Sequence, residues 1–313
     1  MLRSPPVSGT VGSTARRLLV EPFPVGGRLL PPIWRVVLAA IGALLLAVVV
    51  WSRWIPPEDL GDAHAYWLAG QRLLNGEPLY DPAAGPVTPY AYWYPPIFAQ
   101  VVAAFSAILP AYLFSLLWGV LLLGCLWWLA DRRTSVGLAM IAFIPVAIEL
   151  WFRNVHLILA ALIVIGVRSN ALGFVAGAAI KFGPGVGLAW LAARSRWRDL
   201  AVCLVVGAAA LALSYALNPA AWHQYAEILA GRGGLEAASG LLPIPYGVRV
   251  VVAVALALAA GRMKPRLGDP LLVVAALLAL PTLFPAAFSI LVAAVPLLWP
   301  RGKGNAPSGG DGA

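Results

Sequence analysis

The sequence predicts an all-α protein, a polytopic transmembrane helical bundle of about 8–10 membrane helices, on three observations. First, 61% of its 313 residues are hydrophobic and 11% are charged, whereas an average soluble domain is about 25% charged. Second, apolar runs recur along nearly the whole chain. Crossing the hydrocarbon core takes roughly 20 such residues, and backbone polar groups there must pair within the chain, which a helix achieves. Third, Lys and Arg gather in short clusters between the runs: Arg16, Arg17, Arg28 and Arg35; Arg132 and Arg133; Arg194, Arg196 and Arg198; Arg262, Lys264 and Arg266; Arg301 and Lys303. Cytoplasmic flanks of membrane helices carry such clusters. They account for the formal net charge of +9 with the lipid bilayer as partner and no nucleic acid.

Residues 1–30 contain Pro and Gly pairs without a contiguous apolar core, unlike a cleavable signal peptide. They are expected to be a mostly disordered cytoplasmic segment. A single membrane domain then covers 31–300. Its first span, Ile33 to Trp54, starts basic and ends with Trp51 and Trp54 at interface level. This orientation puts the N-terminus in the cytoplasm and residues 55–96 in a first extracytoplasmic loop of a multi-pass protein of the cell membrane. Later apolar runs cover 97–109, 112–130, 135–150, 155–168, 171–193, 199–217, 246–261, 268–284 and 286–299, with a second extracytoplasmic loop at 218–245. Residues 301–313, rich in Gly and polar side chains, read as a disordered tail. Cys125 and Cys203 both lie inside apolar runs, away from any disulfide or metal arrangement.

If every run spans once, Arg132 and Arg133 fall outside, against the charge rule. A second threading lays 97–109 along the membrane surface, closed by Pro110, and splits 171–193 into two half-helices around Lys181-Phe182-Gly183-Pro184-Gly185. Every basic cluster then lies inside, and Arg153 to His156 joins the side of the acidic loop. We prefer this version, since broken helices are tolerated where they line a cavity.

The loop from Glu58 to Pro96 holds five of the thirteen acidic residues, Glu58, Asp59, Asp62, Glu77 and Asp81, and five of the nine tyrosines, Tyr66, Tyr80, Tyr90, Tyr92 and Tyr94. Loop acids ordinarily serve solubility or helix capping, and Asp62 could cap a helix in that way. The segment it opens, however, reads as an amphipathic helix ending at Asn75-Gly76, with Asp62, Tyr66 and Ala69 on one face. A carboxylate beside aromatic faces suits holding a sugar and accepting a hydroxyl proton. Asp62 is thus the first candidate base and Asp59 the second. Tyr66, Tyr92 and Tyr94 could line a sugar or prenyl path, or form an ordinary interface belt. Pro95 and Pro96 fix the approach to the next helix.

Lys181 stands inside an apolar run, where a charge costs about 2.5–3.5 kcal/mol. Snorkelling to the interface competes with a cavity-lining role in which it meets a lipid-linked phosphate. Arg72 is the only basic residue between Arg53 and Arg132. Glu149, Arg153, Asn154 and His156 make a further polar cluster. There Glu149 and Arg153 are expected to pair on one helix face, leaving Asn154 and His156 for substrate. His223 is a weaker candidate of the same kind. No ligand cluster calls for a metal, although a divalent ion is not excluded.

Asp62-x-x-x-Tyr66-x-x-Ala69, Asn75-Gly76-Glu77-Pro78-Leu79-Tyr80-Asp81, Tyr94-Pro95-Pro96 and Ala176-Gly-Ala-Ala-Ile-Lys181-Phe-Gly-Pro184 follow one another in an order that resembles the glycosyltransferase 87 family, also called alpha-(1-2)-mannosyltransferase-like. The resemblance covers roughly residues 34–230. It departs from the family at Arg153-Asn154-Val155-His156, where Gly-Gln-x-Asn is common. The resemblance implies the GT-C fold with an active site at the first extracytoplasmic loop. It implies no cofactor, a polyprenyl-phosphate sugar as donor, most often mannose, and a glycolipid or glycan acceptor. It implies that one carboxylate suffices as base, Asp62 first and Asp59 second, with inversion, because a phosphate leaves without a general acid, its charge met by Lys181 and by Arg72 or Arg153. A transporter or flippase of a lipid-linked sugar and a non-catalytic membrane scaffold are the alternatives. The break at 181–185 has no second partner in the sequence, although broken helices commonly come in pairs in transporters.

Overall fold

The computed structural model of the protein describes residues 24–25, 28–29, 32–56, 58, 60–81, 84, 88, 90–231 and 244–298. The expected disordered segments and Asp59 lie outside the described residues, apart from a two-residue antiparallel ladder of Pro24–Val25 with Arg28–Leu29. The remaining described elements are helical, and the protein is an all-α, multi-pass membrane bundle.

Helix α1 (Pro32–Val49) continues into a five-residue π-turn, Val50–Trp54. It packs on α5 (Thr134–Ile141), where Gly42 is indispensable: a Cβ there would stand 1.7 Å from the Leu138 carbonyl oxygen. Small residues let membrane helices approach this closely. Helix α2 (Gly61–Leu74) is the amphipathic helix of the acidic loop and ends, as its sequence predicts, at Asn75, with Gly76 at φ +71°. Helix α3 (Pro96–Ser106) has only 11 residues. At 1.5 Å each it reaches about 16 Å, half the hydrocarbon thickness, and α2 is pinned to its far end by Gln71 Nε2 on the Ser106 carbonyl at 2.6 Å.

Helix α4 (Ala111–Leu129) is a full-length apolar helix. The run expected at 135–150 is not continuous: α5 and α6 (Ile144–Phe152) meet at 89°. Pro145 explains the break, since it has no N–H to continue α5 and its ring would strike a carbonyl one turn back. Helix α7 (His156–Arg168) follows the corner Arg153-Asn154-Val155. The expected split of 171–193 is present. Helix α8 (Leu172–Ile180) stops at extended Lys181, and a 3₁₀ turn, Gly183–Val186, leads into α9 (Gly187–Ala193).

Helix α10 (Trp197–Leu217) buries only Cys203 and Ser214, as expected of a helix facing lipid. The segment expected as a second loop, 218–245, begins with a helix, α11 (Pro219–Gly231). Asn218 Oδ1 caps it by accepting the Ala221 N–H at 3.0 Å. Then come α12 (Tyr246–Arg262), α13 (Pro265–Leu278), a 3₁₀ segment at Pro285–Ala293 and α14 (Ala294–Leu298).

Among the described residues three helices are long and apolar enough to cross a membrane singly, Ile33–Trp54, Ala111–Leu129 and Trp197–Leu217, with the bent α5–α6 pair as a fourth candidate. The expected 8–10 apolar runs are therefore divided into shorter helices. Breaks at Pro145 and Lys181 and a 3₁₀ stretch at 285–293 interrupt them.

Candidate active site

Asp62 occupies the second position of α2, where the sequence suggested a cap. Instead its carboxylate leaves its own helix and accepts a hydrogen bond from Asn154 Nδ2, in the corner between α6 and α7. Gly61 makes this docking possible. It sits at φ +57°, and a Cβ there would lie 2.5 Å from the Phe152 carbonyl oxygen and 3.0 Å from Arg153 Nε. Only glycine tolerates both the left-handed backbone and the close approach.

Asn154 is held at every polar atom. Its Oδ1 accepts the Val155 N–H at 2.8 Å and the Tyr94 hydroxyl at 3.0 Å. Its backbone carbonyl accepts Trp118 Nε1–H at 3.0 Å. With Oδ1 committed to two donors, the amide nitrogen must face Asp62, and the network fixes its orientation. The Tyr94 hydroxyl donates to Asn154, so the Tyr66 hydroxyl, 3.0 Å away, donates to Tyr94. Burial holds both phenols protonated well beyond their ordinary range. They act as hydrogen-bond donors.

A second chain of contacts reaches the same place from α8. Lys181 Nζ lies 3.2 Å from His156 Nε2 and 5.2 Å from the centre of the Tyr94 ring. His156 Nδ1 meets Glu149 Oε2 at 2.8 Å. Lys181, His156 and Glu149 are all buried. Tyr94 thus joins the two halves, its hydroxyl on Asn154 and its ring face against the ammonium.

Burial pushes the Asp62 carboxyl up to about 6, with the charge of Glu149 adding to the rise. The Asn154 hydrogen bond and the Lys181 and Arg153 cations pull against it. The result is a carboxylate that is more basic than usual and still ionised at neutral pH, the condition a general base needs.

Of the residues chosen from sequence, Asp62, Tyr66, Tyr94, Asn154, His156 and Lys181 come together here. The others have different surroundings. Arg153 is the left-handed cap of α6 (φ 56°), buried, and donates from Nη2 to the Arg53 carbonyl at 2.9 Å. It influences Asp62 through charge. The expected Glu149–Arg153 pair is replaced, because the Glu149 carboxylate turns to the start of α7. Arg72 reaches Leu79 O at 3.3 Å and braces its own loop. Tyr92 donates to Pro95 O at 3.0 Å and is buried among Tyr80, Tyr94 and Phe98. Neither an interface belt nor an open sugar wall describes Tyr66, Tyr92 and Tyr94, since all three are buried. His223 is exposed on α11, 3.4 Å from the Tyr215 hydroxyl.

Sequence reasoning offers no sign of Trp118 and gives Glu149 only a pairing with Arg153. Glu149 did carry a signal, since an acid inside an apolar helix is costly and marks function by default. Also unforeseen was the aromatic tie of Tyr80 to Tyr225, stacked at 5.6 Å, and of Tyr225 to Phe182 at 6.1 Å. It links the acidic loop, α11 and the break beside Lys181.

A groove of about 530 Å³ opens beside the cluster, lined by apolar side chains from α3, α4, α7 and α8. Four of its residues border the polar site. Phe98 packs on Tyr94 and Tyr66, Trp118 holds Asn154, Ile180 precedes Lys181, and Ile158 lies two residues after His156. The groove is thus an apolar channel that runs alongside the residues packed on the polar cluster.

Among known proteins, residues 92–306 match the family model described as Glycosyltransferase family 87. The matched stretch includes Tyr94, Asn154, His156 and Lys181, and begins after Asp62. No curated protein and no solved structure matches the chain.

Proposed function

The chain belongs to glycosyltransferase family 87, and from that premise we propose that it transfers a sugar, mannose in the first instance, from a polyprenyl-phosphate donor to a glycolipid or glycan acceptor outside the cytoplasm. The observation that carries this reading is the apolar groove lying against the cluster that holds Asp62 and Lys181. A prenyl chain is a long apolar tail on a single phosphate, and such a groove can hold the tail while the cation meets the phosphate. In this reading the N-terminus is cytoplasmic, and the α2 loop with the α6–α7 corner faces the other side of the cell membrane.

The reaction follows from the inventory. The Asp62 carboxylate takes the proton of the acceptor hydroxyl as its oxygen attacks the anomeric carbon from the face opposite the phosphate. The bond from that carbon to the phosphate oxygen breaks, and the phosphate leaves with the electron pair. Lys181 stabilises the charge that develops on it. Phosphate is a good leaving group and requires no acid, so one carboxylate does the work that glycoside hydrolysis divides between two. Inversion at the anomeric carbon is the consequence. Asn154 and Tyr94 hold the base in place, and Tyr66 holds Tyr94.

The test is reconstitution in lipid nanodiscs with radiolabelled polyprenyl-phosphate mannose and a membrane glycolipid acceptor. The expected result is a mannosylated product of inverted configuration, absent with Asp62→Asn. No transfer from any polyprenyl-phosphate hexose would overturn the reading. Movement of the donor across a proteoliposome membrane without transfer would replace it with transport.

A further inference from the structure

Glu149 lies fully buried within an α6 of otherwise apolar side chains. Its carboxylate is occupied on both oxygens. Oε1 accepts the His156 N–H at 2.6 Å and the Leu157 N–H at 3.4 Å, the first two amides of α7. Oε2 meets His156 Nδ1 at 2.8 Å. Lys181 as an ammonium only donates, so the ring nitrogen facing it accepts, and Nδ1 carries the imidazole proton that Glu149 Oε2 accepts. Nε2 is then left with its lone pair, and Lys181 Nζ, which only donates, stands 3.2 Å from it. The contacts are satisfied together by an accepting Glu149 Oε2, a neutral Nδ1–H imidazole and a Lys181 ammonium.

We propose that Glu149 is a positioning residue of the transferase site. It locks His156 in the Nδ1–H tautomer so that Nε2 tethers Lys181 against Tyr94 and beside Asp62. A lysine side chain has four rotatable bonds and a strong preference for water. The His156 contact narrows the positions its ammonium can take, and electrostatic stabilisation depends on the cation being in place before charge develops. The proposal rests on the reading of Lys181 as the cation that meets the phosphate.

The competing role for Glu149 is a helix cap alone, and Glu149→Gln separates the two. The amide oxygen of Gln still accepts the 156 and 157 amides, which keeps the cap. Its NH₂ now faces Nδ1 and requires a lone pair there, which moves the imidazole proton to Nε2 and points it at the ammonium. The cap survives and the tether breaks.

The chain contains three histidines, so ¹⁵N-histidine labelling in nanodiscs gives a spectrum in which His156 is identified by its loss in His156→Phe. The wild type is expected to show a protonated Nδ1 and an unprotonated Nε2, and Glu149→Gln the reverse. In the transfer assay Glu149→Gln is expected to lower kcat by about 10- to 100-fold while the acceptor KM stays unchanged. His156→Phe, which removes the tether without touching the backbone cap, is expected to give the same loss and serves if Glu149→Gln fails to fold. A wild-type Nε2–H tautomer would overturn the proposal. So would a reversed tautomer in Glu149→Gln, or His156→Phe, with kcat unchanged. The spectra read the tether in protein without added donor, so absence of transferase activity in the wild type would sink the functional reading and leave the tether to be judged by its tautomer.

Discussion

Replacing Asp62 by Asn removes a negative charge while keeping an oxygen for Asn154 to reach. The Asp62 carboxyl is raised from 3.8 to about 6 by folding, and each pH unit of difference corresponds to about 1.36 kcal/mol. The fold therefore disfavours the ionised form by up to about 3 kcal/mol. The sign follows from the direction of the shift. A group whose folded pKa lies above its unfolded value contributes stability that is complete below 3.8 and is lost as pH rises to about 6. At pH near 7.5 the wild type carries the whole penalty, and the neutral amide does not. Asp62→Asn is expected to be the more stable protein at neutral pH, by up to about 3 kcal/mol, with the advantage gone by about pH 4. Transfer should fall by about 10²- to 10⁴-fold through loss of the base. Thermal or denaturant unfolding in detergent at the two pH values, beside initial rates of transfer, measures both quantities. A variant no more stable than the wild type at neutral pH refutes the electrostatic argument, and one that transfers within a few-fold of the wild type refutes the catalytic one.

The wild-type rate of transfer should fall about tenfold per pH unit below about 6 as Asp62 is protonated, and a pH–rate profile checks it. Because Lys181 and the Asn154 hydrogen bond both pull that carboxyl down, Lys181→Met and Asn154→Ala should each move the acid limb to higher pH; Lys181→Met should also lower kcat by about 10²- to 10³-fold. Gly61→Ala has to resolve a 2.5 Å clash with the Phe152 carbonyl in a left-handed backbone. It should cost about 1–3 kcal/mol and displace Asp62, read as a lower unfolding midpoint together with a lower kcat. Ala176→Phe fills the groove and should raise KM for a long-chain prenyl donor more than for a short-chain analogue, which a chain-length series at fixed acceptor will reveal.

What sequence could supply here was decided by local pattern. The helix from Asp62 to Asn75-Gly76 is amphipathic and ends in a glycine, and the break at Lys181 to Pro184 is written in residues that cannot continue a helix. Lys181 stood out because a charge inside an apolar run is costly enough to need a reason, Asn154 and His156 as part of a polar cluster between two such runs, and Asp62 as the acid that opens an amphipathic helix beside tyrosines. Which of them touch is a question of tertiary contact, and there local reasoning misled. Glu149 and Arg153 have the spacing of a helix-face pair, yet Arg153 takes a left-handed conformation at the end of α6 and spacing no longer measures distance. Tyr66, Tyr92 and Tyr94 have the composition of an interface belt and are buried because α2, α3 and α4 close over them. Arg249, lost inside an apolar run, donates from Nη1 and Nη2 to the carbonyls of Leu280 at 2.8 Å and Pro281 at 3.0 Å. The carbonyls left beyond the end of α13 create that need, and periodicity does not record it.

The hydrogen bond from Asn154 to Asp62 joins residues 92 positions apart, and Lys181 comes later still. In the proposed reaction the base would leave the ribosome first, the residue that aims it would follow after α6, and the cation would arrive last. A nascent chain inserted only as far as α5 therefore has a carboxylate without orientation and no counter-charge for a leaving group. Competence belongs to the assembled bundle alone. On the proposed reading, a donor that met a half-inserted chain would find no site to react in and would not be wasted.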